Sequence, residues 1–213
     1  MAPDYLTTSH RVIRLDVGLE PRLDPEKPVT IAVDASSIKV TDRDEWMRLR
    51  WRRRRGFLKI HITVDVKTKQ IVAMEVTDER AGDGGMLRLL VEQAGVRCSV
   101  EKALADGTYD SRENFAFLEE EGIEPAIRVR KNSSRRARRF PARKEVVMEQ
   151  LGDAESWRRR VGYGLRWMAE TAFSSFKCLF GEHITARSPP NMVQEMLLKA
   201  SLYNLFTSLS PAD

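Results

Sequence analysis

The strongest constraint on the fold is a stretch of alternating apolar and polar residues in the first third of the chain. Apolar side chains at positions 58, 60, 62, 64 and 66 alternate with Lys59, His61, Thr63 and Asp65. This period of two predicts a β-strand, because successive side chains of a strand point to opposite faces. Residues 67–70 then predict a turn, and residues 71–76 a second strand that completes a hairpin.

Shorter patterns around the hairpin predict the remaining elements. Apolar runs at 29–33, 102–105 and 125–129 predict strands, and spacings near 86–95 and 111–122 predict helices that end at Gly95 and Gly122. The order is β-β-β-α-β-α-β, followed by a basic segment and two helices. A meander followed by βαβ crossovers predicts an α/β fold with a mixed sheet and helices on both faces.

The predicted domain organisation is simple. Residues 1–28 have no clear period and form an irregular lead-in, residues 29–209 form one domain, and residues 131–157 form a basic insertion within it. We expect two reduced thiols, Cys98 and Cys178, because their spacing suits neither a metal site nor a disulfide framework. The longest apolar runs are too short to cross a membrane.

Basic residues are concentrated in two blocks, although the net charge is only +5. Residues 48–59 contain seven basic side chains and residues 128–144 contain nine, and neither block contains an acid. Blocks of this kind repel themselves in a compact fold unless a polyanion neutralises them, so they favour nucleic acid as the partner. A solvated basic face without a specific partner is the alternative.

Two aspartates follow short buried strands and are candidate metal ligands. Asp34 comes after Ile-Ala-Val and Asp106 after Ala-Leu-Ala. Ligands of open α/β sheets gather at the carboxyl ends of strands. An aspartate at such a position also commonly begins the next turn, so a metal site requires a third ligand.

A helix predicted over residues 162–180 supplies that ligand. At about 100° per residue, Tyr163, Arg166, Glu170 and Lys177 fall within an arc of roughly 60°. The broad opposite side is apolar and is predicted to pack on the sheet; it comprises Leu165, Met168, Ala169, Ala172, Phe173, Phe176, Leu179 and Phe180. The alternative is an ordinary amphipathic helix with an Arg166–Glu170 pair at i,i+4.

The spacing of these four residues resembles a family signature. Two, three and six residues separate Tyr163, Arg166, Glu170 and Lys177. This is the pattern of insertion-sequence DDE transposases of the groups numbered four and five. The stretches that begin at Ala32, Lys59, Ala105 and Phe180 resemble group five, and the resemblance covers about residues 29–207.

The resemblance implies a ribonuclease H-like fold in which Asp34, Asp106 and Glu170 bind two Mg²⁺ ions, for which Mn²⁺ can substitute. It implies DNA strand cleavage and strand transfer, with Tyr163, Arg166 and Lys177 on DNA phosphates. Nonspecific contacts to the DNA backbone are expected from basic residues in the two blocks, namely Arg52, Arg53, Arg54, Arg55, Lys131, Arg135, Arg136, Arg138 and Arg139. The expected partner is double-stranded DNA, both at the transposon ends and at the target. A homodimer in a synaptic complex and a cytoplasmic, nucleoid-associated location are also expected.

One departure leaves alternatives open. Members of this group usually carry an N-terminal DNA-binding region, whereas 33 residues precede Asp34 here. Either the chain is a truncated or split element, or another polypeptide recognises the transposon ends. A non-catalytic DNA-binding regulator and a nuclease that does not join strands are the alternatives. Other acids near the motifs receive structural roles: Asp65 at a strand end, Asp110 as a helix cap (a role that Ser111 can also fill) and Glu113 as a first-turn charge. Asp42 and Asp44 are excluded as residues of a polar loop.

Overall fold

The computed structural model describes residues 17–24, 26–40, 57–133, 141–186 and 188–209, together with residues 11, 14 and 15. The described strands are β1 (Val29–Val40), β2 (Phe57–Asp65), β3 (Ile71–Asp78), β4 (Val100–Ala105), β5 (Glu124–Ile127) and β6 (His183–Ile184). The described α-helices are α1 (Leu87–Gly95), α2 (Arg112–Glu120), α3 (Pro141–Gly152), α4 (Ala154–Val161), α5 (Trp167–Phe180) and α6 (Pro189–Leu209). Short 3₁₀ helices are η1 (Asp83–Met86), η2 (Gly107–Tyr109) and η3 (Tyr163–Arg166).

The strands form one mixed sheet in the order β3-β2-β1-β4-β5, with β6 paired to the far end of β1. The hairpin β2–β3 and the pair β1–β2 are antiparallel, whereas β4 and β5 run parallel to β1. Helices pack on this sheet, including α5 on β1 and β2, and α1 on β2 and β3. The predicted α/β fold, a ribonuclease H-like mixed sheet flanked by helices, is confirmed.

Both faces of the hairpin strand β2 are buried. Ile60, Ile62 and Val64 lie in the core on one face, as their apolar character predicts. His61 and Thr63 on the opposite face are also fully buried. The polar face is covered by η1, where Asp83 pairs with Lys59 at 2.5 Å. The sheet is therefore the middle layer of the domain.

Strand β1 is longer than the sequence predicts. The prediction ended the strand at residue 33, but β1 continues to Val40. The continuation is stabilised by antiparallel pairing with β2 as far as Lys39 and by β6, which contacts Lys39 and Val40. Asp34 therefore lies within β1, at the level where the parallel partner β4 ends.

Two helices that the sequence did not predict lie within the expected basic insertion. Helix α3 buries Val146 and Val147, and α4 buries Trp157. Asp153 caps α4 by accepting hydrogen bonds from the amides of residues 155 and 156 at 3.1 and 3.0 Å. Each helix buries only two side chains, Val146 and Val147 in α3 and Trp157 and Val161 in α4, so neither has the long apolar stripe that identifies the core helices.

The last helix closes one edge of the sheet. Asn204 of α6 accepts a hydrogen bond from the amide of Ile71 at 2.7 Å and donates to the carbonyl of the same residue at 2.8 Å. This side chain satisfies both backbone groups at the start of edge strand β3. No helix in the described part of the chain has the length and apolar content needed to cross a membrane.

Candidate active site

The register of the sheet places two aspartates side by side. Ala32 of β1 pairs in parallel with Leu104 of β4. Asp34 and Asp106 each follow two residues later, and the backbone of Asp106 is still extended, with φ −81° and ψ −178°. Because residues two apart on a strand share a face, both carboxylates project from the same face of the sheet. The resemblance described above implied that these two residues are neighbours, and the structure places them side by side.

The carboxylate of Asp106 is oriented by the turn that follows it. Its Oδ1 accepts a hydrogen bond from the Thr108 amide at 2.8 Å, and its Oδ2 accepts one from the Thr108 hydroxyl at 3.3 Å. These bonds begin η2 at the end of β4. The remaining lone pairs of the half-buried carboxylate are available to a ligand.

Neighbouring segments hold this turn from several sides. The Asn114 side chain of α2 donates to the carbonyls of Gly84 and Tyr109 at 2.8 and 2.9 Å, and so joins η1 to η2. The Arg130 guanidinium donates to the Gly107 carbonyl at 3.0 Å. A side chain on Gly84 would place its Cβ 2.8 Å from the Thr108 carbonyl oxygen, so the close approach of η1 requires glycine.

A buried ion pair fixes the far end of the same turn. Asp110 accepts hydrogen bonds from Arg143 of α3 at 2.8 and 3.2 Å, and from the Arg130 amide and the Ser133 hydroxyl at 2.9 Å each. Of the two capping residues that the sequence allows, Ser111 and not Asp110 caps α2, by accepting from the Asn114 amide. The charge of Asp110 is instead satisfied by α3, which was not predicted.

The third candidate acid lies on the opposite wall of the site. Helix α4 ends at Gly162, whose left-handed backbone (φ 67°) redirects the chain into η3 and α5. Glu170 lies in the first turn of α5 and its side chain is 54% exposed. Helix α5 packs on β1 and β2, which brings Glu170 to the same end of the sheet as Asp34.

The Arg166 guanidinium lies between two of the acids. Its Nη2 donates to Oε1 of Glu170, and its Nη1 lies 3.8 Å from Oδ2 of Asp34. Burial raises the pKa of Asp34, Arg166 opposes the shift, and the negative charges of Asp106 and Glu170 add to it. All four groups therefore interact electrostatically.

The donor set fits a divalent cation, although the side chains are not gathered around one point. No three His, Cys, Asp or Glu side chains of the described residues are arranged to hold a metal ion, and Glu170 is instead hydrogen-bonded to Arg166. Three carboxylates are the hard oxygen donors that Mg²⁺ and Mn²⁺ prefer. Burial is the main cause of the raised pKa of Asp34, the charges of Asp106 and Glu170 add to it, and a bound cation would favour the ionised carboxylate.

The polar stripe predicted for residues 163–177 is only partly correct. Tyr163 is buried, its hydroxyl donates to the carbonyl of Ala105 at 3.3 Å, and its ring lies 5.1 Å from that of Trp157. It leaves the stripe because η3, and not an α-helical turn, precedes α5. Leu165 and Leu179 were predicted to face the sheet, but both are exposed. Leu165 lies in η3, where the helical phase is altered, and Leu179 lies on the outer side of α5.

Lys177 lies on the same side of α5 as Glu170. Its Nζ is 3.5 Å from a carboxylate oxygen of Glu182, which is itself 73% exposed. An open cleft of about 350 Å³ lies beside the acids, and its walls are Asp34, Ala35, Ser36, Glu170, Phe173, Ser174 and Lys177. The cleft is therefore lined by two of the three candidate acids, Asp34 and Glu170, and by the cation Lys177.

Most of the basic residues predicted to contact DNA lie outside the described residues, as do Asp42 and Asp44. These basic residues are Arg52, Arg53, Arg54, Arg55, Arg135, Arg136, Arg138 and Arg139. Lys131 is exposed in the turn after β5. A second cleft, of about 700 Å³, is lined by Arg158, Arg159 and exposed Trp167, among others. Sequence reasoning missed this surface, although the run of arginines at 158–160 could have indicated it.

The other acids have the structural roles that were predicted for them. Asp65 ends β2, and its carboxylate accepts hydrogen bonds from the amides of Lys67 and Thr68 at 3.3 and 2.8 Å. Glu113 lies in the first turn of α2. Neither carboxylate belongs to the cluster around Asp34.

One comparison with known proteins bears on this geometry. The family model described as transposase DDE domain matches residues 25–205. The matched region includes the whole sheet, the strands that carry Asp34 and Asp106, and helix α5 with Glu170.

Proposed function

Because the chain belongs to the transposase DDE domain family, we propose that it is the catalytic domain of an insertion-sequence transposase that cleaves DNA strands and joins them to a target with Mg²⁺. The family catalyses transposition, cleaves nucleic acid and depends on divalent metal ions. Strand transfer, Mg²⁺ as the ion and an insertion sequence as the mobile element are the finer parts of the proposal.

The two neighbouring aspartates, Asp34 within β1 and Asp106 directly after β4, carry the proposal. Asp34 and Asp106 project from one face, in register on parallel strands, and Glu170 lies across the cleft on α5. These three carboxylates would hold two Mg²⁺ ions, with Mn²⁺ as a substitute. When bound, such ions activate an attacking oxygen and stabilise the leaving oxygen of a phosphodiester. The protein's part is to hold the two aspartates on neighbouring central strands and to present Glu170 from the helix that packs on them.

Cations around the acids suit a phosphodiester substrate. Arg166 and Lys177 lie beside the cleft, and guanidinium and ammonium groups bind phosphate oxygens. We propose that these two contact phosphates near the scissile bond. Tyr163 can contribute a phosphate contact only if its hydroxyl leaves the Ala105 carbonyl. Lys131 and the basic residues outside the described part would follow the flanking backbone.

The proposed partner is double-stranded DNA, both at the element's ends and at the target. A homodimer in which two ends are paired, and a cytoplasmic, nucleoid-associated location, belong to the same proposal. The electrostatic support is the overall charge of +5 and its concentration in two basic blocks.

The deciding experiment is Mg²⁺-dependent cleavage and joining of a duplex that carries the inverted repeat flanking the gene. We expect Asp34→Asn, Asp106→Asn and Glu170→Gln each to abolish both reactions while DNA binding is retained. Glu113→Gln, which changes an acid outside the site, is the control and should retain wild-type rates. Unchanged activity in one of the three variants would remove that residue from the metal site.

The same assay separates the alternatives. Cleavage without joining would identify a nuclease of the same fold. Tight binding of the duplex without cleavage by the wild-type protein would identify a DNA-binding regulator. The proposal requires both reactions from the wild-type chain in the presence of Mg²⁺.

A further inference from the structure

Arg166 occupies the position where the carboxylates need a cation. Its two terminal nitrogens contact different acids, Glu170 through Nη2 and Asp34 through Nη1. The side chain is only 21% exposed, so its charge is partly withdrawn from solvent and directed at these carboxylates. In this arrangement the guanidinium partly neutralises the cluster from within the protein.

The internal pairing competes with a complete metal site. The hydrogen bond from Arg166 engages one carboxylate oxygen of Glu170 and holds this side chain towards the guanidinium, and no three acids of the described residues converge on one point in this arrangement. A guanidinium held against Asp34 would also repel a divalent ion at the same carboxylate. The cluster therefore has two arrangements, one in which Arg166 holds Glu170 and one in which Glu170 is free to bind a cation.

We propose that Arg166 makes divalent metal binding at Asp34, Asp106 and Glu170 dependent on DNA, because a DNA phosphate draws the guanidinium away from the acids. This inference rests on the proposed function. A phosphate matches the planar donors of a guanidinium with two parallel hydrogen bonds, and so competes well against a carboxylate that is 54% exposed.

Lys177 provides a separate phosphate contact in the same cleft. It lies on the wall of the cleft with Asp34 and Glu170, and its described partner Glu182 is largely exposed. Lys177 is eleven residues from Arg166, about 16 Å along the helix, so a DNA strand held at Lys177 would present a different phosphate to Arg166. By linkage, metal and DNA then strengthen each other's binding, and the carboxylates bind metal weakly until a substrate is present.

The test is a titration of the full chain with Mn²⁺, in which free Mn²⁺ is followed by electron paramagnetic resonance. It compares wild type, Arg166→Gln and Lys177→Gln, each with and without the inverted-repeat duplex. Asp34→Asn with the duplex gives the Mn²⁺ that is bound by DNA itself. Circular dichroism and melting curves establish that the variants are folded, and Arg166→Lys is a second variant that retains the charge.

We expect the duplex to tighten Mn²⁺ binding by wild type by roughly 5- to 50-fold, the range of ordinary coupling between sites. Arg166→Gln should bind Mn²⁺ several-fold more tightly than wild type without DNA, and should gain less than about twofold from the duplex. Lys177→Gln should retain a DNA-dependent gain, and Arg166→Lys should also retain part of it.

Three results would overturn the inference in distinguishable ways. Mn²⁺ binding that requires Asp34 but is equally tight with and without the duplex would reject the role of Arg166 and leave the proposed function intact. If Arg166→Gln and Lys177→Gln tighten Mn²⁺ binding equally in the absence of DNA, the effect comes from the loss of a positive charge in general and not from the position of Arg166. If wild type with duplex binds no more Mn²⁺ than Asp34→Asn does, the metal site itself is absent and the proposed function fails with it.

Discussion

The ion pair between Asp110 and Arg143 gives a direct test of how the turn after Asp106 is held. The side chain of Asp110 is 1% exposed and that of Arg143 is 11% exposed. Asp110 accepts four hydrogen bonds, two of them from Arg143. The substitution Asp110→Asn retains the size of the side chain and removes its charge.

The expected loss of stability follows from this burial. Removing one partner of a buried ion pair costs about 3–5 kcal/mol, because the other charge stays buried without compensation. Asparagine still accepts hydrogen bonds and Arg143 is close to solvent, so we expect about 2–3 kcal/mol here. A domain of this size loses about 2–4 °C in Tm per kcal/mol, which gives a decrease of about 4–12 °C.

Thermal melting and urea denaturation at pH 7 measure this change. Asp24→Asn is the control, because the pair between Asp24 and Lys27 is exposed and its loss should leave the Tm unchanged within error. The double variant Asp110→Asn, Arg143→Met should recover part of the loss, since it removes the unpaired charge. A Tm for Asp110→Asn within about 2 °C of wild type would refute the reasoning.

The pH dependence provides an independent measure of the same pair. Burial alone would raise the pKa of Asp110, but hydrogen bonds from Arg143, Arg130 and Ser133 outweigh burial and hold this pKa below its ordinary value of 3.8. The stabilisation is therefore complete above about pH 4 and is lost as the pH falls further. The difference in unfolding free energy between wild type and Asp110→Asn should be constant from pH 5 to 7 and shrink below about pH 4.

Three further predictions concern other parts of the site and its support. Gly84→Ala should lower the Tm by several degrees and slow cleavage, because its Cβ would meet the Thr108 carbonyl oxygen at 2.8 Å, whereas Gly85→Ala, with no atom within 4 Å, should do neither. Asn204→Ala should cost about 2 kcal/mol and accelerate hydrogen exchange at the first amide of β3, and unaltered exchange would contradict this role. Asp34→Asn should raise the Tm of the metal-free protein at pH 7, since burial and neighbouring acids raise the pKa of Asp34 and its charge destabilises the fold; a lower Tm would be the contrary result.

The sequence predicted the sheet and the positions of Asp34 and Asp106 because these depend on local patterns. A strand of four to nine residues is identified by its own apolar residues, and an aspartate directly after such a run is visible without any partner. The antiparallel continuation of β1 beyond Asp34 was not predictable in this way, because it depends on pairing with β2 and β6.

The side-chain contacts that define the site could not be predicted from sequence alone. Asp110 and Arg143 are 33 positions apart, and only the packing of α3 brings them together. Tyr163 has the spacing of a helical stripe, but a left-handed Gly162 and a 3₁₀ turn rotate it into the core. The i,i+4 spacing of Arg166 and Glu170 indicated that these two residues could pair. The sequence could not show that the same guanidinium also contacts Asp34.

The two aspartates are held more rigidly than Glu170 on the opposite wall of the cleft. This difference affects the order in which the three acids become available to a metal ion. Asp34 is fixed within the central strand, and the turn after Asp106 is held by Asn114, Arg130 and the Asp110 ion pair. Glu170 is half-exposed and has one described partner, Arg166. The aspartates can therefore present oxygens with little rearrangement, whereas the glutamate must first exchange its partner. Because rotation of an exposed side chain costs little compared with movement of a strand, the position of Arg166 is the feature that can most easily control when all three acids are available.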